Sequence, residues 1–260
     1  EIGVDLYKLP LEEKKAILCS CIYGIDIDIH AVEVAKFSLL IKLIDDETAP
    51  SVAEVTPILP DLTPNIHFGN SLVSQIELSE ISVSSEQLIE IVPFDWAEIN
   101  GGNCFDVIIG NPPYVNTEGM HTLLPNTEVE IYKKKYKTSH KQFDKYFIFI
   151  EQAINKIKDN GYVCYIVPNK FFKIGAGEKL RNLIAKDHLL VSIDDFGDAQ
   201  LFEDKTIYSS IILLSKKMQS AFVYSNIDSA NKLWAGDETN SIEFSSVVLN
   251  KLPWRLTTDF

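Results

Sequence analysis

Residues 105–115 read Phe-Asp-Val-Ile-Ile-Gly-Asn-Pro-Pro-Tyr-Val, and this stretch decides the fold. Val107, Ile108 and Ile109 form a β-branched apolar run, which predicts a short strand that is fully buried. Gly110 ends the predicted strand and permits a turn without a Cβ clash. The two prolines that follow fix two φ angles and lack N–H donors. The sequence therefore predicts a stiff loop at the carboxyl end of a strand, where open α/β sheets bind ligands.

The loop Asn111-Pro112-Pro113-Tyr114 offers one amide side chain, backbone carbonyls and an aromatic ring. These groups suit a planar ligand with an amino substituent, because the oxygens accept its N–H bonds and the ring stacks on its plane. A tight proline turn without a ligand is the alternative interpretation.

Asn-Pro-Pro-Tyr after a strand resembles motif IV of the S-adenosylmethionine-dependent N6-adenine DNA methyltransferases, here of the long Eco57I-like or type IIG-like restriction–modification class. The resemblance implies that the Asn111 side-chain oxygen and the Pro112 carbonyl accept the two N–H bonds of the adenine amino group. Pro113 belongs to the same catalytic loop, and Tyr114 stacks on an adenine flipped out of double-stranded DNA. The implied methyl donor is S-adenosylmethionine, and Asn111 also borders its pocket.

Strands and helices alternate along the chain, which predicts an α/β domain with a mostly parallel sheet. The predicted strands are 21–27, 65–70, 107–109, 162–167, 189–193 and 209–215, and the predicted helices are 11–19, 30–44, 145–158 and 178–185. Residues 47–64 and 71–104 are expected to be connections, the second with some helix, and residues 115–142 to be polar and mobile. The resemblance implies a Rossmann-like class I methyltransferase fold over residues 1–250, with an antiparallel edge strand, and residues 251–260 as the start of a linker.

Asp26 lies at the end of a predicted strand and precedes a helix, the position at which an acid binds ribose hydroxyls in nucleotide-binding units. The segment Tyr23–Asp28 resembles motif II of the family, which implies that Asp26 binds the cofactor ribose with Ile27 beside it. Asp28 is the predicted N-cap of the next helix. The alternative is that both acids are only capping residues.

The turn Gly69-Asn70-Ser71-Leu72 resembles motif III, where an oxygen accepts a hydrogen bond from the cofactor's adenine. Asn70 and Ser71 are therefore candidate cofactor residues. The alternative is an asparagine favoured by a tight turn. Farther along, Val167–Phe172 resembles motif VI and is expected to shape the pocket wall.

Leu201–Thr206 resembles motif VIII, which implies that Phe202 packs on the target adenine opposite Tyr114. A buried core phenylalanine is the competing interpretation.

The net charge of −13 argues against strong binding of nucleic acid by this chain alone. A local basic stretch, interleaved with Tyr132, Tyr136 and Phe143, is the exception and is a candidate contact for DNA phosphates. Its candidate residues are Lys133, Lys134, Lys135, Lys137 and Lys141. An ordinary solvated loop is an equally good interpretation.

The sequence contains no Gly-rich cofactor loop before Gly24. The resemblance places that loop upstream of Glu1, so the chain is expected to be a fragment that works with upstream and downstream segments of its parent protein. No signal peptide or membrane span is predicted, so we expect a cytoplasmic location. No metal site is expected, and Cys21 and Cys164 are predicted to be small buried residues in strands.

Two other functional classes stay open. Asn-Pro-Pro-Tyr also serves methyltransferases that act on a protein glutamine or on RNA, because any planar amino group suits the loop. A non-catalytic module for assembly or DNA docking is the third possibility. A plain NAD-binding domain explains Asp26 but not Asn111–Tyr114.

Overall fold

The computed structural model describes residues 8–45, 47–53, 55–79, 81, 83–197, 208–227 and 240–257. The chain divides into two compact units, Glu1–Gly102 and Asn103–Phe260.

The first unit is built around a two-stranded parallel sheet. Its strands are β1 (Gly24–Asp26) and β2 (Ile66–Phe68), and its helices are α1 (Leu11–Cys21), α2 (Ile29–Ile44), α3 (Ala49–Ala53), α4 (Gln75–Ser79) and α5 (Ser85–Ile91). Leu11 and Leu18 of α1 pack with Val32 and Leu43 of α2 in one apolar core. Asp28 caps α2, because its side chain accepts a hydrogen bond from the backbone N–H of His30. The predicted cap is therefore confirmed.

The first predicted strand is shorter than expected because α1 continues through Cys21. Helix formers fill α1, and the chain becomes extended only at Ile22, so nothing stops the helix earlier. Cys21 is exposed at the end of a helix, and Cys164 is half-buried in a strand, so the prediction for Cys21 is wrong.

The second unit contains a six-stranded sheet in the order β3-β4-β6-β5-β7-β8. The strands are β3 (Phe105–Gly110), β4 (Ile157–Pro168), β5 (Leu190–Asp195), β6 (Ser209–Ser215), β7 (Ala221–Asn226) and β8 (Asn240–Ser245). The strands β3, β4, β5 and β7 run in one direction, whereas β6 and β8 are antiparallel to their neighbours. The predicted α/β class with a mostly parallel sheet is confirmed. The strand 209–215 is antiparallel as expected but lies inside the sheet, where Ile212 and Leu214 are fully buried, and β8 forms the antiparallel edge.

Residues 115–142 form two helices, so the predicted mobile stretch is wrong. The helices of this unit are α6 (Thr117–Leu123), α7 (Asn126–Lys135), α8 (Lys145–Lys156) and α9 (Glu178–Lys186). Asn116 caps α6 by accepting from the N–H of Gly119, and α7 buries Val129 and Ile131 beneath its charged residues. A cap and a narrow apolar stripe were sufficient for folding here. Within the described residues, no helix is long and apolar enough to cross a membrane.

The strand before the proline loop is an edge strand, which contradicts the prediction of full burial. In the described part of the chain β3 pairs only with β4, and Val107 and Ile109 are 55% and 75% exposed. Gly110 does not adopt a positive φ. A Cβ there would lie 3.2 Å from the ring of Tyr165, so Gly110 permits a close approach and not a turn.

The exposure of Ile109 leads to a stability prediction for the 260-residue chain. We expect Ile109→Ala to change the free energy of unfolding by no more than about 0.5 kcal/mol, as for an exposed site. The matched change Ile212→Ala, in the same sheet but fully buried, should cost about 2–5 kcal/mol. Urea unfolding of the two variants checks this, and equal losses would contradict the edge position of β3.

Candidate active site

The loop Asn111–Tyr114 leaves the carboxyl end of β3. Asn111 and Pro113 are exposed, Pro112 is buried and Tyr114 is half-buried. The last paired residues of β3 and β4 are Gly110 and Tyr165. Because Pro112 and Pro113 have no N–H to donate, the ladder between the two strands cannot extend along them.

The hydroxyl of Tyr114 connects the loop to the next strand. Its Oη lies 2.5 Å from Oδ1 of Asn111 and 2.9 Å from the carbonyl oxygen of Ile166 in β4. Burial of the Tyr114 ring, together with the negative charge of Asp144, raises the pKa of its hydroxyl to about 12. The hydroxyl is therefore neutral at physiological pH.

An aromatic core supports Tyr114 from behind. The ring of Tyr146 on α8 meets the ring of Tyr114 edge to face, with centroids 6.0 Å apart. Tyr146 also donates to the carbonyl of Pro168 over 3.2 Å and packs against Phe147 and Phe171. Burial holds the pKa of Tyr146 well above its ordinary value, so this hydroxyl is neutral as well.

An ion pair between a buried acid and an exposed lysine, next to this core, was missed by the sequence analysis. Asp144 precedes α8, is 3% exposed, and accepts from Nζ of Lys170 at 2.7 Å. Its second oxygen is buried and has no hydrogen-bond partner among the described residues. The signal in the sequence was an acid directly before a strongly amphipathic helix, which is ordinarily only a cap.

Phe202 lies outside the described residues, but both flanks of its segment are described. The backbone N–H of Asn169 donates to the carbonyl of Tyr208 over 2.8 Å, and the side chain of Asn169 donates to Asp195 over 2.8 Å. The hydroxyl of Tyr224 donates to the other oxygen of Asp195. Asn169, in the segment that resembles motif VI, thus joins the residues before and after the Phe202 segment.

Asp26 is the last residue of β1, and Asn70 lies two residues after the end of β2, so both are at the carboxyl ends of the two parallel strands of the first unit. Asp26 pairs with Phe68 in register, and the N–H of Gly69 donates to the carbonyl of Asp26 over 2.8 Å. The Asp26 carboxylate is exposed, and one oxygen accepts from the N–H of Asp28 at 2.8 Å. An exposed acid with a second oxygen facing no donor in the described residues fits a ribose diol. Ile27 is 47% exposed beside it.

Asn70 is buried, and its Oδ1 accepts from the N–H of Leu72 at 3.0 Å. The carbonyl of the neighbouring Ser71 accepts from the indole N–H of Trp96. A Cβ on Gly69 would lie 2.8 Å from that of Phe94, so the turn also requires glycine. These contacts account for Asn70 as a turn residue, and its role towards a cofactor stays a prediction.

The basic stretch is the end of α7 and the segment after it. Lys133, Lys134 and Lys135 lie in the last turn of α7, while Lys137 and Lys141 follow and are exposed. Nζ of Lys141 lies 3.6 Å from Glu178. The interleaved aromatics Tyr132, Tyr136 and Phe143 are buried. They belong to the core, so the expectation that they accompany the lysines on a nucleic-acid surface is wrong.

The structure brings Asn111 together with Tyr114, and Asp26 with Asn70, each pair at the carboxyl end of parallel strands. An acid at the end of a parallel strand in the first unit and an acceptor loop after a parallel strand in the second unit are features of one class of α/β protein. The fold is that of the class I S-adenosylmethionine-dependent methyltransferases, as the sequence analysis predicted, and S-adenosylmethionine is the cofactor of this class.

The chain belongs to the Eco57I restriction-modification methylase family, whose model matches residues 20–202. It is 41% identical over 260 residues to the type II restriction enzyme and methyltransferase RM.Eco57I of Escherichia coli, a match that covers 96% of this chain and 25% of that protein. The type II methyltransferase M.PaeR7I of Pseudomonas aeruginosa is 31% identical over 114 residues, covering 44% of this chain and 19% of that protein.

Two solved structures share this fold over a region that is a small part of a much longer chain. A nuclease-deletion mutant of the type ISP restriction-modification enzyme LlaGI, in complex with a DNA substrate mimic, matches with a TM-score of 0.55 and 16% identity, over 84% of this chain and 19% of that chain. A DrdV–DNA complex matches with a TM-score of 0.52 and 16% identity, over 79% and 21%. At this identity the likeness concerns the fold alone.

The raised pKa of Tyr114 predicts a specific alkaline titration. Its pKa of about 12 exceeds the ordinary value of 10.0, so this hydroxyl stabilises the folded chain below pH 10, and that stabilisation is lost as the pH rises towards 12. Ultraviolet titration of the phenolate should show that Tyr114→Phe removes a component that ionises near pH 12. If Tyr114→Phe instead removed a component that ionises near pH 10, the half-burial of Tyr114 and the charge of Asp144 would not raise its pKa as expected.

Proposed function

We propose that this chain carries the catalytic residues for methylation of adenine N6 in double-stranded DNA, with S-adenosylmethionine as the methyl donor. The observation that supports this proposal is the loop after β3, where an exposed Asn111 and a half-buried Tyr114 stand on either side of two prolines. The chain spans 25% of RM.Eco57I, so the activity proposed is that of the whole parent protein.

The acceptors of the loop would make the adenine amino group, which is a weak nucleophile, more reactive. Its lone pair is delocalised into the ring, and it becomes more available when both N–H bonds are held by Oδ1 of Asn111 and the carbonyl of Pro112. This chemistry is positioning and electrostatics without a covalent enzyme intermediate. It requires an adenine that has been flipped out of the duplex, because the amino group of a stacked and paired base is not accessible.

Tyr114 supplies a ring on which the flipped base stacks, and Phe202 is proposed for the opposite face. Stacking on an aromatic side chain contributes about 1–3 kcal/mol per base. Two such contacts offset much of the unstacking cost of a few kcal/mol.

The cofactor residues proposed are Asp26 with Ile27, Asn70 with Ser71, and Asn111. When bound, S-adenosylmethionine supplies an electrophilic methyl group on a sulfonium. The part of this chain is to hold the ribose through the exposed carboxylate of Asp26, which retains an oxygen for that purpose.

DNA contacts beyond the base are proposed for Lys133, Lys134, Lys135, Lys137 and Lys141. Contacts to phosphates position a duplex but do not read its sequence. With a net charge of −13, the chain depends on other segments of its parent for most DNA affinity. We propose residues 1–250 as the catalytic domain and residues 251–260 as the start of a linker, within which Trp254 is buried and packs on Phe172.

The first test replaces Asn111 in the parent protein. We expect Asn111→Ala to lower the methylation rate by roughly 10²–10³-fold or more, as for loss of a key polar group in an active site, with cofactor binding retained. Asn116→Ala is the matched control, because it removes a helix cap with the same chemical change and costs only about 1 kcal/mol of stability. Mass spectrometry of the nucleosides from methylated duplex DNA measures N6-methyladenine directly.

Other products would redirect the assignment. Methylation of a glutamine peptide or of RNA with none on duplex DNA would replace the adenine reading, while normal turnover by Asn111→Ala would exclude the role of the loop. A parent protein that binds no S-adenosylmethionine and methylates nothing would leave an assembly or docking module.

The second test compares Asp26, the last residue of β1, with Asp28, the N-cap of α2. We expect Asp26→Ala to weaken S-adenosylmethionine binding by about 10–100-fold, because hydrogen bonds to a charged group contribute about 1.5–3 kcal/mol. Asp28→Ala removes only the cap of α2 and should leave the dissociation constant within about twofold. Isothermal titration calorimetry of the parent protein measures both, and equal effects would make Asp26 a structural residue.

A further inference from the structure

The Tyr114 hydroxyl faces two acceptors and has one proton. The distance of 2.5 Å to the Asn111 side chain lies within the range for an O–H···O bond and is shorter than an N–H···O bond. The Asn111 atom at this contact is its carbonyl oxygen Oδ1, which accepts from the hydroxyl. The second acceptor, the Ile166 carbonyl at 2.9 Å, is an equally good partner for the same proton.

The position of Ile166 explains why a side chain makes this contact. Ile166 lies one residue beyond Tyr165, the last β4 residue with a partner in β3. The chain opposite it contains Pro112 and Pro113, which have no N–H to offer to β4. The Tyr114 hydroxyl donates where a backbone amide would have done, and so ties the loop to the end of β4.

Asn111 needs such a tie, because it is exposed and an exposed asparagine samples several χ1 rotamers and a broad χ2 range. A hydrogen bond to Oδ1 selects one orientation. An amide oxygen has two lone pairs, so the hydroxyl occupies one and leaves the other for a substrate N–H.

We propose that the hydroxyl of Tyr114 is a positioning group that fixes the carboxamide of Asn111, in addition to the stacking role of its ring. This inference rests on the proposed function and adds a second, separable task to one residue. The raised pKa of Tyr114 supports it, because the hydroxyl keeps its proton across the physiological range.

The test is Tyr114→Phe in the parent protein, which keeps the stacking ring and removes only the hydroxyl. We expect the single-turnover methylation rate at saturating DNA and S-adenosylmethionine to fall about tenfold, equivalent to about 1.4 kcal/mol. The dissociation constant for duplex DNA and the fluorescence of 2-aminopurine at the target position, which reports base flipping, should change by less than twofold.

Tyr146→Phe is the matched control. It also removes a hydroxyl that donates to a carbonyl at the end of β4, that of Pro168, but it makes no contact with Asn111 in the described structure. We expect its methylation rate to stay within about twofold of the wild type. A tenfold loss in both variants would show that the hydroxyls act by stabilising the end of β4 and not by holding Asn111, which would overturn the proposal. No loss in Tyr114→Phe would also overturn it.

A structural measurement separates this proposal from the proposed function. Crystal structures of the parent protein should show one conformer of the Asn111 side chain in the wild type and several in Tyr114→Phe. A single unchanged conformer in both would overturn the positioning role whatever the substrate is. If the wild type methylates a glutamine peptide or RNA and not DNA, the proposed function fails, and the same pair of variants measured on that substrate still decides the role of the hydroxyl.

Discussion

Two consecutive prolines at the end of β3 are the constraint on which the site depends. They stop the pairing of β3 with β4 at Gly110 and Tyr165, because neither proline has an N–H for the ladder. Beyond that point, carbonyls of β4 are satisfied by tyrosine hydroxyls, Ile166 by Tyr114 and Pro168 by Tyr146. Side-chain hydroxyls thus replace backbone pairing on this side of β4, and one of them, that of Tyr114, also contacts Asn111.

Two buried side chains connect the segment after β4 with the last described segment of the chain. Arg181 on α9 is 1% exposed and donates to the carbonyls of Phe171, Ile174 and Lys251, which joins the segment after β4 to the last described segment. Trp254 adds a stacked contact with Phe172, at 5.8 Å between ring centroids, and the backbone N–H of Trp254 donates to the carbonyl of Phe172. A guanidinium whose partners are three carbonyls ties separate segments together through directional bonds.

The sequence predicted the parts of the fold whose signals are local. Strand 209–215 and the cap Asp28 were correct, because an apolar run and an acid before a helix need no distant information. The burial of Val107 and Ile109 was wrong, since the β-branched run that predicts a strand says nothing about how many neighbours the strand has. Asp144 was missed for a similar reason, because its pairing with Lys170 joins residues 26 apart in the chain.

The roles proposed for the loop would suit any planar group that carries an amino substituent, and they do not by themselves favour adenine. Oδ1 of Asn111 and the Pro112 carbonyl would each accept one N–H bond, and an adenine, a glutamine amide or another base amine all provide two such bonds. The ring of Tyr114 would stack on a planar group, and a stacking free energy of about 1–3 kcal/mol per base favours a nucleobase over a smaller amide. If the hydroxyl of Tyr114 holds Asn111 while its ring holds the base, acceptor geometry and substrate choice reside in one side chain and are separable by removing one oxygen. On this proposal, replacing the ring would change which planar groups bind, whereas removing the hydroxyl would change only how well the amino group is held.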